Sequence, residues 1–116
     1  MDVEKFADEV LKSDARIQFV GIMNDELQVL VSKAREGVQR YDYLQVGPNI
    51  LVDAAEKLSP ALGCVESVTI RYEKLFMVFF RLEKHTIVLT FDPTIARPFM
   101  SALSKSMRTL GSRYLK

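Results

Sequence analysis

The chain has 116 residues, with 16 Lys and Arg against 15 Asp and Glu, one His and one Cys. Such a length is one domain (1–116) with room for a true core, and a single cysteine, Cys64, excludes an internal disulfide framework and fits a reducing cytosol. The longest apolar stretch, Leu75–Phe80, is far too short to cross a bilayer, and the acidic start MDVEKFADEV is no signal peptide, so a cytoplasmic location without membrane contact is expected.

Asp2 can cap a first helix over residues 2–13, where Val3, Phe6, Val10 and Leu11 form one stripe. Ser13-Asp14-Ala15 breaks it. A strand follows, with Ile17, Phe19, Gly21 and Met23 on one side and Gln18, Val20 and Ile22 on the other. Asn24-Asp25 makes a tight turn. The second strand sets Leu27, Val29 and Val31 opposite Gln28, Leu30 and Ser32, an amphipathic pattern that suits a sheet edge. Residues 33–40 are polar, contain Gly37 and read as loop; residues 41–46 are ambiguous between helical turn and loop.

Pro48 suits the first position of a second helix, whose apolar stripe is Leu51, Ala54, Ala55, Leu58 and Leu62. Pro60 should end or kink it, and Gly63 stops it. Cys64 after it reads as a small, partly buried residue.

Three strands follow in succession. Val65–Tyr72 alternates, with Val68, Ile70 and Tyr72 on one side. Leu75–Leu82 is apolar on both faces and must be central and covered twice, apart from Arg81, which either snorkels at an edge or enters a pocket to hold an anion. Glu83-Lys84-His85 turns the chain, and His85 reads as a solvated turn residue. Thr86–Phe91 completes the sheet, and Asp92-Pro93 stops it. Pro98 can start the last helix, with Phe99, Leu103, Met107, Leu110 and Tyr114 at helical spacing and Gly111 fraying or interrupting its end.

The pattern is α-β-β-α-β-β-β-α. Hairpins make neighbouring strands antiparallel, and the crossover through the second helix most economically brings the fifth strand beside the first. The expected fold is therefore α+β: a five-stranded antiparallel sheet ordered 2-1-5-4-3 with three helices. This order looks like the roadblock (dynein light-chain 7) fold, a profilin-like architecture. It also looks like the PAS fold, which groups its helices differently. Either topology leaves function open. Separately, Asp14–Phe19 (DARIQF), REGV at 35–38, Leu62-Gly63, RYEKL at 71–75 and Phe91-Asp92-Pro93 resemble a family of small archaeal proteins, chiefly thaumarchaeal, with no established function. That resemblance implies an archaeal cytoplasmic origin and contributes no catalytic residues.

Catalysis needs convergent polar groups. One His and one Cys cannot build a standard structural zinc site, no phosphate-binding glycine loop occurs, and Asp25-Glu26 is a solvated pair in a turn. No catalytic residue, metal or cofactor is assigned, and the reading is not an enzyme. Residues 1–14 hold five acids and two lysines, whereas five bases and no acid follow Asp92. An acidic first helix beside a basic last helix accounts for this asymmetry. Bases at 71, 74, 81 and 84 interleave with acids at 66, 73 and 83, so cross-strand pairing argues against nucleic acid.

Two functions stay open. The first is a protein-interaction, scaffold or regulatory domain acting as a homodimer, with helix two and strand three, through Leu51, Ala54, Ala55, Leu58, Val68 and Ile70, facing a twofold partner. The second is a PAS-like small-molecule sensor, its pocket lined by the group Phe76, Met77, Phe79, Phe80 and Phe91, with Arg81 or Tyr72 as the polar contact. The first takes precedence, with any further protein partner unknown.

Overall fold

The computed structural model describes residues 2–26, 28–37, 60–63, 67–82, 84–92 and 98–115, with backbone only for 98–102. Helix α1 is Val3–Ser13. Asp2 caps it by accepting a hydrogen bond from the Lys5 backbone N at 3.0 Å, and Glu4 in the first turn suits the positive end of the helix dipole. Phe6, Ala7 and Val10 are buried, as the stripe requires.

Strands β1 (Ile17–Met23), β2 (Val29–Ala34), β3 (Ser67–Arg71), β4 (Phe76–Leu82) and β5 (His85–Phe91) form one antiparallel sheet ordered β2-β1-β5-β4-β3. This is the expected order, with β1 and β5 inside. Helix α2 is Pro98–Tyr114. It lies with α1 over one face of the sheet, so that Phe6 and Val10 meet Leu103 and Met107 above Val20, Ile22, Val78 and Leu89 in one buried cluster. The opposite face holds a second cluster of Phe19, Met23, Met77, Phe79 and Val88, with Val68 and Ile70 packed beside it. Full burial of each such side chain stabilises by roughly 1.5–3 kcal/mol, so β4 and β5, buried on both faces, anchor the domain.

The faces of two strands differ from simple alternation. Ile17 pairs with Phe91 and Phe19 with Thr90, so Gln18 is an extra residue. This bulge turns Ile17 to the helix side with Val20, and away from Phe19. On β2 the extra residue is Leu30: Val31 pairs with Ile22 but Val29 pairs with Met23. Val31 is therefore buried and Val29 exposed. The strand also runs on through Lys33 and Ala34, beyond the polar boundary where a loop was expected, because both pair with β1.

Other expectations need correction as well. His85 is not a solvated turn residue. It is 7% exposed, opens β5 and pairs with Leu82. Gly111 does not interrupt the last helix, which continues to Tyr114. It lets the helix approach the sheet closely, since a Cβ there would sit 3.0 Å from Leu82 Cδ1. Residues 60–62 are helical, and Gly63, at φ +85°, stops the chain there as expected, in a conformation glycine adopts freely. Tyr72 leaves the third strand, its backbone N donating to the Leu75 carbonyl across the turn. The rest of the second helix, residues 41–46 and Cys64 lie outside the described residues.

Candidate interaction edge

The sheet has two edges, and the side chains treat them differently. At β2, Lys33 reaches back to α1, its Nζ 2.7 Å from Asp8 Oδ1 and 2.8 Å from Glu4 Oε2. Hydrogen bonding to Asp8, then to Glu4, raises the Lys33 pKa above its ordinary value. Just past the strand, the Arg35 guanidinium donates to the carbonyl of Ile17 at 2.6 Å, to that of Asp14 at 2.8 Å and to that of Leu11. One cation thus satisfies carbonyls where α1 ends and β1 begins, and it sits at the negative end of the helix dipole. The Asp14 side chain accepts from the Arg16 backbone at 2.9 Å and from its guanidinium at 2.7 Å. The Arg16 hydrogen bond lowers the Asp14 pKa. The hairpin is tied by Asn24, whose Oδ1 accepts from Glu26 N at 3.0 Å and Gln28 N at 2.9 Å.

At β3 the pairing is regular. Five pairs with β4 run from Ser67↔Phe80 to Arg71↔Phe76 without a register shift. Ser67, Thr69 and Arg71 are exposed and Val68 and Ile70 half-buried. Val68 and Ile70, two of the expected interface residues, therefore share one face of the edge strand and pack on the second cluster. Leu51, Ala54, Ala55 and Leu58 lie outside the described residues. Leu62 is 76% exposed, so at least one member of the second helix's stripe has large apolar surface in contact with solvent.

The residues of the expected sensor pocket fall on both faces of the sheet, with Met77 and Phe79 in the second cluster. Phe76 and Phe80 pack into the helix-side cluster. Arg81 pairs with Thr86 and alternates to the opposite face, exposed. Tyr72 is 44% exposed beyond the end of β3. Adjacent positions in a strand point apart, so Arg81 stands on the side of Met77 and Phe79 and opposite Phe80. Among the described residues no group of three or more His, Cys, Asp or Glu could hold a metal, and no described helix is long and apolar enough to cross a membrane.

Sequence reasoning passed over Arg35 and Lys33. Both lie in a polar stretch with no periodic signal, and their partners are 18 to 29 residues away. Only the contrast of REG with the alternating strand before it marked the place.

No protein-family model and no curated protein matches the chain. Solved structures do. The Roadblock/LC7 domain from Streptomyces avermitilis aligns with a TM-score of 0.75 at 7% identity, covering 99% of this chain and 98% of that one. This is the Roadblock/LC7 fold. Myxococcus xanthus MglB aligns with a TM-score of 0.74 at 12% identity, over 96% of this chain and 92% of its own. An MglB with a tetrameric arrangement aligns at 0.66 and 13% identity, over 94% and 87%. At such identities the likeness is one of fold.

Proposed function

We propose that this chain is a non-enzymatic protein-interaction domain of the cytoplasm that acts as a homodimer, using β3 and the helix before it as the contact with a second copy. The observation that carries this reading is the regular edge of β3: five residues pair with β4 in unbroken register at the end of the sheet. Val68 and Ile70 supply half-buried apolar area there, and Leu51, Ala54, Ala55 and Leu58 are small or apolar residues that complete the proposed surface. A twofold contact of this kind is self-complementary and closes on itself. The tetrameric arrangement of one MglB neighbour supports an assembling role for the fold.

Sedimentation velocity across the micromolar range tests the proposal. The chain should sediment as a dimer, and Thr69→Lys, which puts a charge on the exposed side of the β3 edge, should shift it toward monomer. A monomer throughout that range, with rapid amide exchange along β3, would refute the reading.

A further inference from the structure

We draw no further inference here: the strongest candidate, the exposed apolar pair Val29 and Leu30 at the start of the β2 edge, is a surface patch for which nothing in the structure shows what covers it.

Discussion

At one edge of the sheet β2 carries a bulge at Leu30, a lysine shared by two acids of α1, and beyond it an arginine that grips three carbonyls. At the other edge β3 keeps five residues in regular register with β4. An exposed edge is a template for pairing with another chain, and proteins blunt it with bulges, charges or a covering element. β2 has all three, since α1 lies against it. The difference teaches that one edge of this sheet is irregular and tied back to α1, while the other keeps a regular register with β4.

The sharpest way to break this contrast is at Arg35. Arg35→Ala leaves the carbonyls of Leu11, Asp14 and Ile17 without their charged donor. A loss of about 3 kcal/mol in unfolding free energy is expected from urea denaturation with an unchanged m-value. Arg35→Lys should recover only part of it, because an ammonium lacks the planar fork. A loss below about 1 kcal/mol would show that water replaces the guanidinium easily.

Next in size is the β3 edge. Thr69 is exposed and pairs with Val78, so Thr69→Lys should cost little stability while weakening self-association by about tenfold in sedimentation. An equal change from a lysine placed at Val29, on the guarded edge, would erase the distinction between the two.

A smaller effect is expected at Lys33. Lys33→Ala removes the link from β2 to Glu4 and Asp8. Because the pairs are exposed, stability should hardly move, but amide exchange along Val29–Ala34 should quicken relative to Ser67–Arg71. Unchanged exchange would mean that the bulge and α1 guard the edge without this charge.

The smallest effect is one of pH. The Arg16 hydrogen bond depresses the Asp14 pKa in the folded chain. The resulting stabilisation is complete above the unfolded carboxylate value of about 3.9 and is lost as pH falls through the lower folded value. Asp14→Asn should flatten that part of the stability profile in acid titration. An identical slope in the variant would assign the acid sensitivity to other carboxylates.

Much of the fold was legible because it rests on local rules. The apolar content of Leu75–Leu82 required cover on both faces, and β4 has it. Asp2 was readable as a cap because the capping bond spans three residues. The face of Ile17 was not readable, since alternation carries no sign of the extra Gln18 until Phe91 and Thr90 of a distant strand set the register. His85 looked like a turn residue from its charged neighbours, and only its pairing with Leu82 buries it. For the candidate edge, Val68 and Ile70 were visible as a stripe. Phe80 and Arg81, adjacent in sequence, stand on opposite faces of the sheet.

By itself the sequence determined the order and kind of the described elements, the interior position of the most apolar strands and the concentration of bases after Asp92. These follow from periodicity, turn chemistry and composition, which act over a few residues. Only the tertiary structure decided where the bulges fall, which edge is tied back to α1, and that Lys33 answers α1 while Arg35 closes its end. Those depend on contacts between residues tens of positions apart, and no local pattern encodes the geometry in which distant parts of a chain meet.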